Sequence, residues 1–129
     1  MERFVIIDDD AINNIKCRFV INKVINGAEI YTFLSAKEGL VFLADDEPPK
    51  NVRTFVFLDI NMPGMDGWQA LEEFEKIPEK TKTKTRIFML SSSIDPADFR
   101  RAASIQRIME YIEKPFTIEK FEEIIRKYR

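Results

Sequence analysis

The sequence predicts an α/β protein in which one five-stranded parallel sheet is covered by helices on both faces. Two observations support this fold class. Short apolar runs rich in β-branched and aromatic residues recur along the chain, and segments with helical spacing of apolar residues separate them. Such runs are typical of strands buried on both faces of a parallel sheet. Their regular alternation with helices predicts a doubly wound sheet with the strand order 2-1-3-4-5.

The first part of the chain predicts two strand–helix units. Residues 4–7 form the first strand, and Glu29–Phe33 forms the second. Between them lies a helix with a wide apolar stripe, which ends at Asn26-Gly27 and consists of Ile12, Ile15, Phe19, Val20 and Val24. Residues 35–38 have the spacing of a capping box and open a second helix that continues to about residue 44.

The central part predicts one more strand–helix unit and a loop. Residues 45–49, rich in Asp and Pro, break the chain before a third strand at residues 55–58. Asp66 can cap a third helix, whose sheet-facing residues we expect to be Leu71, Phe74 and Ile77. The repetitive basic segment at residues 81–85 is expected to be a solvated loop.

The last part predicts two further strands, each followed by a helix. After a fourth strand at residues 87–90, Asp95-Pro96 supplies an N-cap and a first-turn proline for the fourth helix. After a short fifth strand at residues 111–112, Thr117 caps the last helix. That helix has acidic residues early and basic residues late, which complements its dipole, so we interpret these charges as structural.

Size and composition predict a single domain spanning residues 1–129. The chain of 129 residues is 45% hydrophobic and 33% charged, which is typical of a globular protein. No apolar stretch approaches the about 20 residues that cross a bilayer, and the first residues lack a secretory signal pattern, so we expect no membrane insertion. The lone Cys17 cannot form an internal disulfide, which fits a reducing cytoplasm.

Charge and residue types exclude several function classes. A net charge of −2 provides no general attraction to nucleic acid, so we expect no direct nucleic-acid partner. The sequence contains no histidine, which excludes histidine-based acid–base catalysis, histidine-ligated zinc and a phosphohistidine intermediate within this chain. Any phosphoryl group that the chain carries must therefore be bonded to another residue type.

Polar residues suited to chemistry follow four of the predicted strands. Asp8 and Asp9 follow the first strand, Asp59 the third, Ser91 the fourth and Lys114 the fifth. Because ligands of open α/β sheets bind beyond the carboxyl ends of the strands, we expect these side chains to converge. The first and third strands are neighbours in the predicted order, so three carboxylates meet. Their repulsion favours protonation of one carboxylate or a bound divalent cation, for which Mg²⁺ is the abundant candidate.

The types of these residues favour phosphoryl transfer. An ionised Asp59 can attack a phosphoryl group and hold it as an acyl phosphate. A divalent cation, the Lys114 ammonium and the Ser91 hydroxyl could each neutralise or bind one of the three phosphoryl oxygens. Asp59, Ser91 and Lys114 are therefore the catalytic candidates.

At these residues the sequence resembles the receiver domain of bacterial two-component response regulators. The resemblance extends from Arg3 to about Lys127. Its motifs are Asp8-Asp9, then Asp59 with the Met-Pro-Gly-Met-Asp-Gly loop at residues 62–67, then Leu90-Ser91 and the Tyr-Ile-Glu-Lys-Pro-Phe segment at residues 111–116. It implies a flavodoxin-like (βα)5 fold. It also implies that a sensor histidine kinase or a histidine phosphotransfer protein phosphorylates Asp59.

The resemblance also implies a set of metal ligands. Asp9 would bind Mg²⁺ directly and Asp8 largely through water, while Asp59 and the backbone carbonyl of Asn61 would complete the protein ligands. Mg²⁺ is thus the expected cofactor.

A conformational switch is a further implication of the resemblance. Ser91 and Tyr111 match the hydroxyl and aromatic switch positions of the family, although threonine is commoner than serine at the first. The bond between Lys114 and Pro115 is expected to be cis, against the low base rate for such bonds. We expect the signal to leave through the face of the fourth helix, the fifth strand and the fifth helix, towards a downstream protein target.

Other function classes remain open. A Mg²⁺-dependent phosphatase with an aspartyl nucleophile would need a second aspartate two residues after Asp59, where this chain has Asn61. A pseudo-receiver would share the fold but act as an unphosphorylated interaction module. The intact acidic pair, hydroxyl and lysine favour a stand-alone phosphorylated receiver. It would not be a conventional enzyme, and its chemistry would be self-phosphorylation from a phosphodonor and autodephosphorylation at Asp59.

Overall fold

The computed structural model describes residues 1–45 and 51–129, and its centre is a five-stranded parallel sheet. The strands are β1 (Glu2–Ile7), β2 (Glu29–Phe33), β3 (Arg53–Asp59), β4 (Thr85–Ser91) and β5 (Ile108–Glu113). They lie in the order β2-β1-β3-β4-β5, and every neighbouring pair is parallel. The predicted fold class and strand order are confirmed. The predicted break at residues 45–49 lies, except for its first residue, outside the described residues.

Helices cover both faces of the sheet. They are α1 (Ala11–Val24), α2 (Ala36–Ala44), α3 (Gly67–Phe74), α4 (Glu79–Lys82), α5 (Pro96–Ser104) and α6 (Ile118–Tyr128). Because successive strand residues point to opposite faces, the sheet separates two cores. Val5 and Val56 belong to the core that includes α2, α3 and α5, whereas Phe4 and Phe57 belong to the core that includes α1 and α6. None of the described helices is long and apolar enough to cross a membrane.

The predicted helix starts are confirmed. Ser35, Asp66, Asp95 and Thr117 each accept a hydrogen bond from a backbone N–H group of the helix that follows. The end of the third predicted helix is earlier than expected, because α3 ends at Phe74 and Ile77 lies beyond it. Ile77 is nevertheless half-buried against the same core, as its apolar character requires.

The apolar stripe predicted for α1 is confirmed only in part. Val20 is buried and Val24 is half-buried against the same core, but Ile12, Ile15 and Phe19 are 64%, 67% and 57% exposed. The helix also buries Asn14, Cys17 and Ile21. The side-chain amide of Asn14 donates to the backbone oxygen of Asp8 at 3.0 Å. This polar contact at the end of β1 holds one face of the helix against the sheet, so the face with Ile12, Ile15 and Phe19 points outward.

The basic segment before β4 is more ordered than predicted. Its first residues form part of the short helix α4, and Thr81 and Thr85 are buried. The hydroxyl of Thr85 donates to the backbone oxygen of Thr81 at 2.7 Å, and the Lys82 ammonium donates to the backbone oxygen of Glu75 at 2.8 Å. The Lys82 bond thus attaches this charged segment to the end of α3, whereas the Thr85 bond lies within the segment.

A cation–π contact joins α3 to α5. The guanidinium carbon of Arg101 lies 4.3 Å from the ring centroid of Trp68, which is only 8% exposed. Trp68 lies in the first turn of α3, which directly follows the loop after Asp59. The contact therefore connects that loop to the helix that follows Ser91.

Candidate functional site

The structure brings the predicted site residues together at the carboxyl edge of the sheet. Carboxylate oxygens of Asp8, Asp9 and Asp59 all lie within 4.8 Å of one another. The Lys114 ammonium is 2.9 Å from Oδ2 of Asp8 and 3.4 Å from Oδ1 of Asp59. Ser91 is fully buried at the end of β4, next to the strand that ends at Asp59. Side chains from the ends of β1, β3 and β5 thus converge, and Ser91 ends the strand beside β3.

The loop between β1 and α1 separates two adjacent aspartates. Asp8 is 1% exposed, and its Oδ1 accepts the backbone N–H of Asp10 at 2.9 Å. Asp10 caps α1, because its Oδ1 accepts the N–H of Ile12 at 2.9 Å. Asp9, between them, is exposed. One carboxylate of the pair is therefore fixed below the surface, and the other is accessible from solvent.

Two asparagines in the first turn of α1 support Asp8, and neither was predicted from the sequence as part of the site. The amide of Asn13 donates to Oδ2 of Asp8 at 2.7 Å, whereas the amide of Asn14 donates to the Asp8 backbone oxygen at 3.0 Å. A signal was present, because two adjacent asparagines interrupt an otherwise apolar helix pattern one turn after an acidic pair. Polar residues with short side chains near a helix start often bond the preceding loop.

The loop after Asp59 is shaped by glycine. Gly64 has φ of +77°, and the N–H of Gly67 donates to the backbone oxygen of Ile60 at 2.8 Å. A Cβ on Gly67 would lie 2.7 Å from the backbone oxygen of Asp59 and 2.8 Å from Cα of Ile60. A side chain at position 67 would therefore collide with the backbone at the end of β3, directly at Asp59. Asn61, the predicted backbone ligand, lies exposed in this loop.

The electrostatics of the site are those of a crowded acidic cluster. Burial, and then the charge of Asp8, raise the pKa of Asp59 from its ordinary 3.8 to about 6, although Lys114 opposes the change. Burial alone would lower the pKa of Lys114, but its hydrogen bond to Asp8 and the charge of Asp59 outweigh burial and raise it. Lys114 is therefore charged at neutral pH, and Asp59 is ionised in most molecules.

The donor set could hold a metal ion. Three carboxylates offer oxygen ligands alone, and hard divalent cations such as Mg²⁺ and Ca²⁺ prefer oxygen ligands. Repulsion of Asp59 by Asp8 raises the pKa of Asp59, and a cation would relieve that repulsion. The residues present therefore fit a hard divalent cation.

At the carboxyl ends of β4 and β5, side-chain hydroxyl groups form hydrogen bonds with the backbone. Oγ of Ser91 accepts the backbone N–H of Ser93 at 3.0 Å, and the Tyr111 hydroxyl donates to the backbone oxygen of Ser93 at 2.9 Å. The ring of Tyr111 lies 5.1 Å from the ring of Phe99 on α5. Ser91 and Tyr111, the two predicted switch positions, thus share Ser93 as a common partner.

The loop that carries Lys114 is attached at both ends. The peptide bond between Lys114 and Pro115 is cis, which confirms the prediction. The ammonium of Lys120 on α6 donates to the backbone oxygens of Glu113 and Pro115 at 2.6 and 3.0 Å. The backbone N–H of Lys114 donates to the Ser91 oxygen at 2.8 Å, which ties the loop to β4.

Comparison with known proteins identifies relatives over almost the whole chain. Residues 4–126 match the family model of the response regulator receiver domain. The chain is 27% identical over 127 residues to the sporulation initiation phosphotransferase F of Bacillus subtilis, and the match covers 98% of this chain and 93% of that protein.

Solved structures of similar fold include two response regulators. A receiver protein from Dyadobacter fermentans has a TM-score of 0.87 at 24% identity, with 98% of this chain and 97% of that chain covered. A two-component response regulator from Cytophaga hutchinsonii also has a TM-score of 0.87, at 28% identity, with 98% and 96% covered. The fold of this chain is therefore similar to that of solved response regulators.

Proposed function

This chain belongs to the response regulator receiver domain family, and from that premise we propose that it accepts a phosphoryl group on Asp59 and signals to a protein partner. One observation carries the proposal. The buried Asp59 carboxylate lies 3.4 Å from the Lys114 ammonium and within 4.8 Å of two further carboxylates. A nucleophile, a cation for the transferred group and oxygen ligands for a metal ion are thus adjacent.

In the proposed reaction, the ionised carboxylate of Asp59 attacks the phosphorus of a phosphohistidine. A P–O bond forms as the P–N bond breaks, and the electron pair of the broken bond leaves with the imidazole. Because this chain has no histidine, the donor belongs to a partner, which we propose is a sensor histidine kinase or a histidine phosphotransfer protein. A pKa of about 6 leaves most Asp59 carboxylates ionised and nucleophilic at neutral pH.

Lys114 and Ser91 would bind the transferred group. The ammonium now shared by Asp8 and Asp59 needs only a small shift to reach an oxygen of a phosphoryl group on Asp59. The hydroxyl of Ser91 ends the neighbouring strand and can donate to a second oxygen. While the Ser91 hydroxyl donates its hydrogen to the phosphoryl group, its oxygen can still accept the hydrogen bond from the N–H of Ser93, or that bond can break.

Mg²⁺ is the cation that we propose for the acidic cluster. Asp8, Asp9, Asp59 and the backbone carbonyl of Asn61 would hold it, with Asp9 accessible to make the direct side-chain contact. When bound, Mg²⁺ supplies positive charge that offsets the carboxylates and the incoming phosphoryl group.

The exposed apolar face of α1 supports a protein as the phosphodonor. Ile12, Ile15 and Phe19 are more than half exposed, and α1 begins directly after Asp8, Asp9 and the capping Asp10. A donor histidine can reach Asp59 only if the surface of the donor protein around that histidine contacts the residues that surround the site. We propose that the donor packs on this apolar face while its phosphohistidine enters the acidic cluster.

We further propose that the signal leaves through α5, β5 and α6. A shift of the Ser91 hydroxyl towards the phosphoryl group would disturb its bond with Ser93. Tyr111 is bonded to the same residue, so its side chain would respond. Phe99 on α5 contacts the Tyr111 ring, which extends the change to the surface that a downstream protein would recognise.

The direct test is incubation with acetyl phosphate and Mg²⁺, followed by intact mass spectrometry. We expect a gain of roughly 80 Da, the mass of one phosphoryl group. Asp59→Asn should not gain it, and chelation of the metal should prevent it in the wild type. A wild-type protein that never gains this mass would support the alternative of an unphosphorylated interaction module, and labelling of Asp59→Asn would contradict the assignment of the acceptor.

A further inference from the structure

We propose that Asn13 is a positioning residue that allows Lys114 to move from Asp8 to the phosphoryl group on Asp59. The inference rests on the proposed function, because it concerns the same site. The amide nitrogen of Asn13 and the ammonium of Lys114 donate to the same oxygen, Oδ2 of Asp8, at 2.7 and 2.9 Å. Two donors on one buried oxygen mean that one can leave while the other stays.

The burial of Asp8 makes its second donor important. Asp8 is 1% exposed, so water has little access to Oδ2. A buried carboxylate oxygen that loses its donors is strongly destabilised. Without the Asn13 amide, transfer of the ammonium to a phosphoryl oxygen would leave Oδ2 without a side-chain donor. With the amide in place, the oxygen remains hydrogen-bonded throughout.

The side chain of Asn13 is held for this role. Its nitrogen also lies 3.6 Å from the sulfur of Cys17, one turn further along α1 and fully buried. A carboxylate oxygen only accepts hydrogen bonds, so the amide must present its nitrogen to Asp8. α1 itself is anchored by the cap at Asp10 and by Asn14. The donor is therefore preorganised and does not follow Lys114 when the ammonium moves.

The other donors to Asp8 cannot replace Asn13. Among the residues that the structure describes, the backbone N–H of Asp10 donates to the opposite oxygen, Oδ1. The amide of Asn14 donates to the backbone oxygen of Asp8 and, at 3.5 Å, to that of Phe33. Neither bond reaches Oδ2, so only Asn13 and Lys114 share it.

The test substitutes leucine, which has nearly the shape of asparagine but no donor. Asn13→Leu should bind beryllium fluoride, a stable mimic of the acyl phosphate, about tenfold more weakly than the wild type in the presence of Mg²⁺. Asn13→Gln keeps the donor and should recover part of the affinity. Asn22→Leu is the matched control, since it makes the same change at an exposed position of the same helix. Thermal unfolding of each variant checks that the fold is intact.

A second measurement separates this inference from the proposed function. In the metal-free protein, the side-chain ammonium signal of Lys114 is followed by nitrogen-15 NMR. Asn13→Leu should slow the exchange of its hydrogens with water, because Lys114 becomes the single side-chain donor on Oδ2. Unchanged exchange, or wild-type affinity for beryllium fluoride in a folded Asn13→Leu variant, would overturn the role of Asn13. If the wild type itself binds no beryllium fluoride, the proposed function fails. The ammonium signal then still shows whether Asn13 and Lys114 share Oδ2 of Asp8.

Discussion

The two halves of the carboxyl edge of the sheet are held by different kinds of contact. At the ends of β1 and β3, the buried carboxylates of Asp8 and Asp59 face each other and share the Lys114 ammonium. At the ends of β4 and β5, neutral hydroxyl groups of Ser91 and Tyr111 bond to the backbone of Ser93. Buried charges interact strongly and respond to protons and cations, whereas neutral hydrogen bonds of about 1 kcal/mol exchange readily. This difference fits two roles. The acidic half, at the ends of β1 and β3, would carry out the chemistry, and the hydroxyl half, at the ends of β4 and β5, would change its hydrogen bonds in response.

The largest change in the free energy of unfolding is expected when a charge is removed from the acidic half. The pKa of Asp59 is raised to about 6, so the folded protein holds this proton more tightly than the unfolded chain does. The stability that this proton contributes is complete below about pH 4 and lost as the pH rises through about 6, a change of about 3 kcal/mol. Asp59→Asn should therefore be more stable than the wild type at about pH 8, by about that amount, and similar at about pH 3.5.

Urea denaturation of both proteins across this pH range, in the presence of a metal chelator, provides the measurement. If the difference in the free energy of unfolding does not change with pH, Asp59 is not the group that titrates, and the acidic half is less strained than its geometry indicates.

The second effect concerns the backbone beneath the acidic half. A Cβ on Gly67 would lie within 2.8 Å of two backbone atoms, the oxygen of Asp59 and Cα of Ile60. Gly67→Ala should therefore destabilise the fold by about 2 kcal/mol and lower the rate of phosphorylation, because Asp59 must shift. Gly39→Ala is the control for crowding elsewhere in the core, since its Cβ would lie 2.4 and 2.7 Å from side-chain atoms of the buried Ile7 and not against the backbone of Asp59. It should also destabilise the fold but lower the rate of phosphorylation less. Equal losses of rate in the two variants would show that the close approach to Asp59 is not special.

The third effect tests the accessible member of the acidic pair. Asp9→Asn should weaken Mg²⁺ binding about tenfold, or about 1.4 kcal/mol, because a charged oxygen ligand is replaced by a neutral one. Asp10→Asn removes one charge from the neighbouring position and keeps a residue that caps helices well. Isothermal titration calorimetry on both variants separates ligation from the general loss of negative charge. Equal affinities would mean that Asp9 acts only through its charge.

The smallest effect on stability belongs to the hydroxyl half. Ser91→Ala removes one buried hydrogen bond, to the N–H of Ser93, and should cost about 1 kcal/mol. The variant should still accept the phosphoryl group on Asp59, but beryllium fluoride should cause smaller amide shifts from Phe99 to Tyr111 than in the wild type. Ser92→Ala, at the exposed neighbouring position, is the control. If the amide shifts of Ser91→Ala equal those of the wild type, the Ser91 hydroxyl does not couple Asp59 to the region from Phe99 to Tyr111.

The positions of the catalytic candidates could be predicted because they depend on topology. A strand buried on both faces ends where its apolar run ends, so Asp59 and Ser91 could be placed at one edge from sequence and strand order alone. Lys114 follows from the same argument, and its cis bond to Pro115 follows from the resemblance to a family. The side-chain contacts among them required the structure, because distances of 2.9 and 3.4 Å depend on rotamers that sequence patterns do not specify.

The rotation of α1 and the role of Asn13 could not be predicted from periodicity. The predicted stripe is wide enough to cover two faces of this helix, one with Ile12, Ile15 and Phe19 and one with Val20 and Val24, so the pattern does not decide which face packs on the sheet. The choice depends on Asn14, whose amide bonds the end of β1. The helix α4 was not predicted, because polarity does not indicate that Thr81 and Thr85 are buried or that the Thr85 hydroxyl donates to the backbone oxygen of Thr81.

The contact between Trp68 and Arg101 has an optical consequence. Trp68 is the single tryptophan of the chain, and it lies on α3 with its ring against Arg101 of α5. The emission of an indole depends on the charges and the water around it, and here a guanidinium lies 4.3 Å from its ring. A movement of α5 relative to α3 would change that emission without any attached dye. The protein thus contains its own fluorescent reporter of the distance between these two helices, which stopped-flow instruments can follow in real time.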